Sequence, residues 1–189
     1  MADAPVSIGE SETSPKANQQ GKDCTIGTFI TEADGWKIIA AAASWEGTPY
    51  RSAGAGSVKG VGGDCSGTTN KSYVAAGFPY PYKMTSTFAA YANESHQFRQ
   101  ISPDKTPLQA GDLLLWPGHM AIYAPFPEGD PRRDTGVMHH GQKRFNDMYT
   151  AHNEHTNAPY GPYNIETFRG DPYKVYRYLV LPSANDCKK

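Results

Sequence analysis

The sequence predicts an α+β protein in which N-terminal helices pack on a central antiparallel β-sheet. Segments with helical spacing of apolar residues fill the first half of the chain, and short apolar runs rich in aromatic and β-branched residues fill the second half. Helices followed by a series of strands are typical of this fold class. At 189 residues, the chain is long enough to bury a core without help from metals or many disulfides.

One folded domain is predicted for residues 23–189, preceded by a flexible leader at residues 1–22. The leader is rich in Ser, Glu, Asn, Gln and Pro, and it lacks the basic and apolar regions of a Sec signal peptide. No apolar run is long enough to cross a membrane, and a net charge of −1 offers no basic surface. We therefore expect neither membrane insertion nor nucleic-acid binding.

Three helices are predicted, at residues 31–46, 65–76 and 85–93. The first can be capped by Thr31 or Asp34 and ends before a Gly-Thr-Pro-Tyr turn. The second is closed by a glycine and a proline-rich turn. The apolar residues that repeat at helical spacing in the first helix are Trp36, Ile39, Ala40 and Ala43.

The strands are predicted from short apolar runs. Leu113–Trp116 and His119–Tyr123 flank a Pro-Gly turn and form a hairpin. A third strand is expected at residues 136–140, and the clearest strand covers residues 173–181. Residues 146–163 are polar and carry no clear pattern.

The chain has three cysteines, Cys24, Cys65 and Cys187, so at most one pair can form. Cys24 and Cys187 lie near the two ends of the predicted domain, and a bridge between them is one hypothesis. Such a bridge would stabilise the fold and indicate an oxidising compartment.

Cys65 is the candidate nucleophile because it follows a glycine-rich loop and starts the second predicted helix. The positive end of a helix dipole favours the reactive thiolate. A cysteine nucleophile also needs a base and a group that orients the base. His119, at the start of a strand, is the candidate base. His139 or His140, on the next predicted strand, could orient it, and alternation allows only one of the two.

The sequence gives little support for a metal site or a phosphate-binding site. His152 and His155 are three residues apart, but neither Cys-x-x-Cys nor His-Glu-x-x-His is present. The glycine-rich loop lacks the Gly-Lys-Ser/Thr ending of a phosphate-binding loop. We expect no metal or other cofactor, and we interpret His152 and His155 as polar loop residues.

Three blocks of sequence resemble the NlpC-type cysteine peptidases, the bacterial cell-wall branch of the papain-like fold. They are Gly47-Thr48-Pro49-Tyr50, Asp64-Cys65-Ser66-Gly67, and Gly111-Asp112-Leu113 with the strand that begins at His119. The order and spacing of the blocks agree with that family over residues 36–140. The chain departs from it in its long glycine-rich loop, residues 51–63, and in an insertion at residues 125–135.

The resemblance implies a role for each matching residue. Cys65 would be the nucleophile, His119 the base and His139 the orienting residue, with His140 as the alternative. Tyr50 would help to position the substrate or the oxyanion. Asp64 and Ser66 would contact the polar end of a peptide.

The resemblance also implies hydrolysis of amide bonds in peptidoglycan stem peptides or cross-links. A compact domain without a Sec signal is typical of a type VI secretion amidase effector, an antibacterial toxin. Such an effector acts in the periplasm of the target cell and is inhibited by a cognate immunity protein. A phage-type lysin is the alternative with the same chemistry. A thiol acyltransferase and an inactive peptidoglycan-binding module are alternatives from other classes.

Overall fold

The structure is a computed structural model that describes residues 27–152 and 158–182. The predicted leader, both cysteines of the proposed bridge and His155 lie outside these residues. The α+β class is confirmed: helices pack on a sheet whose strand pairings are all antiparallel. No helix in the described ranges is long and apolar enough to cross a membrane.

Five helices are described, and local capping explains where the first two begin. They are α1 (Glu32–Ala43), α2 (Cys65–Ala75), α3 (Thr85–Ser95), α4 (Pro131–Asp134) and α5 (Ile165–Phe168). Thr31 caps α1 through a capping box with Asp34, and Asp64 caps α2. Each cap satisfies N–H groups that the helix itself leaves unpaired.

The buried face of α1 differs from the predicted one. It consists of Gly35, Ile38, Ile39 and Ala42, whereas Trp36 is half-buried and Ala40 is exposed. A Cβ on Gly35 would lie 1.7 Å from the Ala110 carbonyl oxygen, so only glycine permits this close approach to the turn before the sheet. The close contact rotates α1 by about one residue from the expected face.

The main sheet contains seven strands. They are β1 (Thr28–Phe29), β2 (Phe98–Ile101), β3 (Leu113–Trp116), β4 (His119–Tyr123), β7 (Met148–Thr150), β8 (Gly161–Tyr163) and β9 (Lys174–Val180). The order is β1-β9-β3-β4-β7-β8, and β2 also pairs with β9. The predicted β3–β4 hairpin and the C-terminal strand are confirmed. Strands β7 and β8 form within the segment that the sequence left unassigned.

The third predicted strand, at residues 136–140, does not join the main sheet. Strands β5 (Met138–His139) and β6 (Gln142–Lys143) pair only with each other, in a separate two-stranded sheet. Helices α1, α2 and α3 cover one face of the main sheet, where α2 contacts α1, β4 and β7, and α5 packs on the opposite face. This packing brings the N-terminus of α2 to the start of β4.

Candidate active site

Cys65 is the first residue of α2, and the residues on either side fix it there. The Asp64 carboxylate accepts the Gly67 N–H at 2.8 Å and the Gly54 N–H at 2.7 Å. It also accepts the Ser66 hydroxyl at 3.3 Å. Asp64 thus caps the helix and ties it to the glycine-rich loop, so a substrate that contacts this carboxylate would have to share it with backbone groups.

Gly67 explains the last position of the Asp-Cys-Ser-Gly block. A Cβ there would lie 2.1 Å from Ser57 Oγ and 2.2 Å from the Gly54 carbonyl oxygen. Any side chain would push the loop off the helix. The glycine therefore allows the loop to sit directly on the first turn of α2, next to the thiol.

Tyr50 lies beside the segment that leads into Cys65. Its backbone forms a parallel bridge with Gly63, supported by hydrogen bonds from Gly63 to Pro49 and from Arg51 to Gly63, both 3.1 Å. The half-buried Tyr50 ring packs against the core. The first two blocks of the resemblance, separated in sequence, are neighbours in space.

Ser66 faces the other side of the same turn. Its hydroxyl is 2.9 Å from the Tyr82 hydroxyl, in the loop before α3. A Cβ on Gly54 would lie 2.9 Å from that Tyr82 oxygen, which places Tyr82 over the loop as well. Ser66 therefore helps to join α2, the glycine-rich loop and the start of α3.

His119 begins β4 directly after the Pro117-Gly118 turn and is only 7% exposed. Its Nε2 lies 2.9 Å from Thr150 Oγ1 on the adjacent strand β7. Its ring packs against Phe168 and Trp116, with centroid distances of 4.7 and 5.8 Å. The imidazole is held by one hydrogen bond and two aromatic rings.

The hydrogen bonds of Thr150 determine which nitrogen of His119 carries the proton. The Thr150 hydroxyl lies 2.8 Å from the Met120 carbonyl and 3.1 Å from that of Ala151, and these oxygens only accept. A hydroxyl has a single proton, so Thr150 donates to a carbonyl and accepts from His119. Nε2 is therefore protonated, and in the neutral ring Nδ1 keeps its lone pair.

Cys65 reaches this group through the main chain of β4. The backbone N–H of Met120, the residue after His119, lies close enough to Cys65 to lower the pKa of its thiol. The Met120 side chain belongs to the core under the helices with Cys65, whereas the His119 ring lies among side chains of the opposite face. The structure thus brings the thiol within one residue of His119 along the strand, and Nδ1 is the ring nitrogen nearer to the main chain.

The Cys65 thiol and the His119 imidazole are both uncharged at neutral pH. Burial raises the pKa of the Cys65 thiol, and the Asp64 carboxylate adds to this, against the opposing effect of the Met120 N–H. Burial lowers the pKa of His119 to about 3, with smaller contributions from Arg169 and His152. Cys65 and His119 therefore do not form a thiolate–imidazolium ion pair in this structure.

The expectation that His139 or His140 lies on the strand next to His119 is wrong. Strand β7 occupies that place, and both histidines are exposed, with rings 4.1 Å apart at the tip of the β5–β6 hairpin. A tight turn at His140 and Gly141, both with positive φ, folds β5 back on β6. The backbone groups of β5 are therefore used within the hairpin.

Thr150 and Phe168 are the neighbours of His119 that the sequence did not indicate. A threonine inside a strand does not by itself indicate a group that orients a histidine, and its strand has only three residues. The short Met-Tyr-Thr run was the available signal. His152, interpreted as a loop residue, lies two residues after Thr150 and packs on Phe168 at 4.6 Å.

Within residues 27–152 and 158–182, no three His, Cys, Asp or Glu side chains converge as a metal site requires. Comparisons with protein-family models, with curated proteins and with solved structures find no match for this chain. The functional argument therefore depends on the residues and geometry of the site itself.

Proposed function

We propose that this protein is a cysteine hydrolase with an NlpC-type, papain-like fold that cleaves amide bonds in peptidoglycan stem peptides or cross-links. One observation carries the proposal. A thiol at the N-terminus of α2 lies near the Met120 N–H, and the residue before Met120 is a histidine whose Nε2 is bound to Thr150. In this proposal Cys65 is the nucleophile, His119 is the base and Thr150 is the group that orients the base.

The reaction begins with a neutral pair. The proposal requires the His119 ring, which packs among side chains of the opposite face, to approach Cys65 as substrate binds. Nδ1 of His119 then takes the proton of the Cys65 thiol, and the sulfur attacks the amide carbonyl carbon. The carbonyl electrons move to oxygen, and backbone N–H groups at the start of α2 stabilise the oxyanion. This is general-base activation, since burial makes the ion pair unfavourable before substrate arrives.

The remaining steps use the same histidine. The tetrahedral intermediate collapses, the C–N bond breaks, and the His119 imidazolium gives its proton to the departing amine. A thioester then joins the acyl group to Cys65. His119 next takes a proton from water, and the hydroxide attacks the thioester, which releases the carboxylic acid and the thiol.

The other candidates receive less support. An acyltransferase would need an apolar groove for an acyl chain, and the groove beside α3 and the groove beside the β5–β6 hairpin are lined largely by polar and charged side chains. A binding module without activity would not need both Cys65 and a histidine in a defined tautomer. We therefore propose a hydrolase, acting as a secreted antibacterial effector in the target periplasm and inhibited by an immunity protein. A phage-type lysin is the alternative biological setting.

Digestion of purified sacculi tests the proposal. We expect the protein to release muropeptides whose masses, measured by mass spectrometry, identify the amide bond cleaved. The Cys65→Ala variant should fold normally, as shown by circular dichroism, and release none. Full release by that variant, or no new amine or carboxyl ends with the unaltered protein, would contradict the proposed function.

A further inference from the structure

A short segment that follows α5 holds the turn from which His119 emerges. The Arg169 side chain donates from Nη1 to the Pro117 carbonyl oxygen at 3.0 Å. The Asp171 carbonyl oxygen accepts the indole N–H of Trp116 at 3.2 Å. These two hydrogen bonds fix the entry to the β3–β4 turn, at the last residue of β3 and at the residue that follows it.

Arg169 is itself held in place, and its neighbour contacts the ring of His119. Nε and Nη2 of Arg169 each lie 2.7 Å from the Asp171 carboxylate, a bidentate pair that fixes the plane of the guanidinium and directs Nη1 to the turn. Phe168 packs on the His119 ring, with centroids 4.7 Å apart and planes inclined at 30°. We call this segment, residues 168–171, the latch, because it holds both the ring of His119 and the turn before it.

The Phe168 end of the latch lies on the face of the sheet away from Cys65. Phe168 packs on the core cluster that contains Trp116, whereas Cys65 and Met120 belong to the cluster under the helices. Because side chains alternate along a strand, the His119 ring points away from the face where Cys65 lies. To approach the thiol, the ring has to leave Phe168, and the strand end has to rotate at the β3–β4 turn. The latch contacts oppose the movement that the proposed reaction requires.

We propose that Arg169 is a positioning residue for His119, and that the latch keeps the imidazole away from Cys65 until substrate binds. The proposal rests on the proposed reaction, in which His119 is the base for Cys65. When substrate displaces the latch from the turn, its hydrogen bonds break and the ring can approach the thiol. Loss of a latch contact therefore raises the fraction of molecules in which His119 reaches Cys65.

Alkylation of Cys65 by iodoacetamide at neutral pH tests the latch without any peptidoglycan. The thiolate displaces iodide, and mass spectrometry of proteolytic peptides follows Cys65 separately from the other two cysteines. Arg169→Met keeps the length of the side chain and removes its donors, and circular dichroism checks that it folds. We expect Cys65 to react about three- to tenfold faster in this variant, the factor that a partly exposed, charge-assisted hydrogen bond contributes.

Arg144→Met is the matched control. Arg144 forms an ion pair with Glu166 of α5 at 3.0 Å, and its side chain is 31% exposed, against 30% for Arg169. Its hydrogen bonds go to Glu166 and, from the backbone, to Val137 rather than to the β3–β4 turn. Cys65 should therefore react at the same rate in Arg144→Met as in the unaltered protein.

Two further variants separate the latch from a general loosening of the fold. The acceleration should disappear when His119→Gln is added to Arg169→Met, because glutamine cannot take the thiol proton. A looser fold would expose Cys65 with or without the imidazole. Asp171→Asn weakens the bidentate pair and keeps Arg169, so it should give a smaller increase in the same direction.

No acceleration in Arg169→Met, an equal acceleration in Arg144→Met, or an acceleration that persists without His119 would overturn the latch. Muropeptide release by the unaltered protein separates the two proposals. Release without a His119-dependent acceleration removes the latch and keeps the hydrolase. A His119-dependent acceleration without any release keeps the latch and removes peptidoglycan as the substrate.

Discussion

The β3–β4 and β5–β6 hairpins each carry a histidine, and they place it in opposite environments. His119 lies on a strand that has a partner on both sides and is almost completely buried. His139 lies on a strand that pairs only with the other arm of its hairpin, and it is exposed. The neighbours of a histidine therefore depend on the sheet that its strand joins.

The apolar content of the two hairpins explains the difference. All four residues of β3 are buried, and four of the five residues of β4 are buried, so this hairpin gains stability on both faces. In β5–β6 all four residues are exposed. The β5–β6 hairpin has one apolar residue, Met138, and so gains little from insertion beside β4. The Met-Tyr-Thr strand, buried at each position, pairs with β4 instead.

Separate replacement of His119 and of His139 should give the largest difference in activity between two variants. His119→Gln keeps an N–H that can reach Thr150 but removes the base, so we expect muropeptide release to fall by about 10²–10⁴-fold. His139→Gln should leave the rate of release unchanged. Equal losses in the two variants would show that the exposed hairpin takes part in the reaction.

Removal of the Thr150 hydroxyl tests the orienting group. Thr150→Val has nearly the same shape but leaves the buried Nε2–H of His119 unpaired, at a cost of about 1–3 kcal/mol. We expect about a 5- to 100-fold fall in kcat and a changed pH profile. Thr150→Ser restores the hydroxyl and should recover most of the activity. A fall in stability with unchanged kcat and pH profile would mean that Thr150 only supports the fold.

Acid unfolding tests the burial of His119. Its pKa of about 3 in the folded protein lies below its ordinary value, so the unfolded chain binds the proton more readily between pH 3 and 6.5. The stabilisation that comes from keeping His119 neutral is present above pH 6.5 and is lost as the pH falls towards 3. Its contribution to the free energy of unfolding is on the order of a few kcal/mol at most.

His119→Gln should therefore flatten the pH dependence of the free energy of unfolding, measured with urea over this range. Asp147 acts in the opposite direction, because burial raises its pKa to about 6 in the folded protein. Asp147 makes the same contribution in the variant and in the unaltered protein, so it cancels in the difference between their free energies of unfolding. A pH dependence identical to that of the unaltered protein would contradict a buried, neutral His119.

The smallest effect is expected at the tip of the exposed hairpin. Replacement of both histidines, as in His139→Asn with His140→Asn, should change the free energy of unfolding by less than about 0.5 kcal/mol. Asparagine also tolerates the positive φ of His140. Thermal unfolding measures the effect on stability, and muropeptide release measures the effect on activity. A large change in stability would show that the hairpin supports the fold, and a large change in release would show that it takes part in the reaction.

Local signals allowed the position of Cys65 at the start of α2 to be predicted. The cap at Asp64 and the close approach at Gly67 are encoded within a few residues of Cys65, and the β3–β4 turn fixes His119. The partner of His119 depends on pairing between β4 and β7, which no local pattern specifies. The contact between Thr150 and His119 therefore could not be predicted from the sequence.

The limited exposure of Cys65 has a consequence for the lifetime of the protein. Oxidation and alkylation proceed through the thiolate and require access to the sulfur. A thiol that is 7% exposed and has a raised pKa offers little of either. We expect the resting protein to tolerate peroxide and oxidising surroundings, with its reactive sulfur preserved until a substrate opens the site.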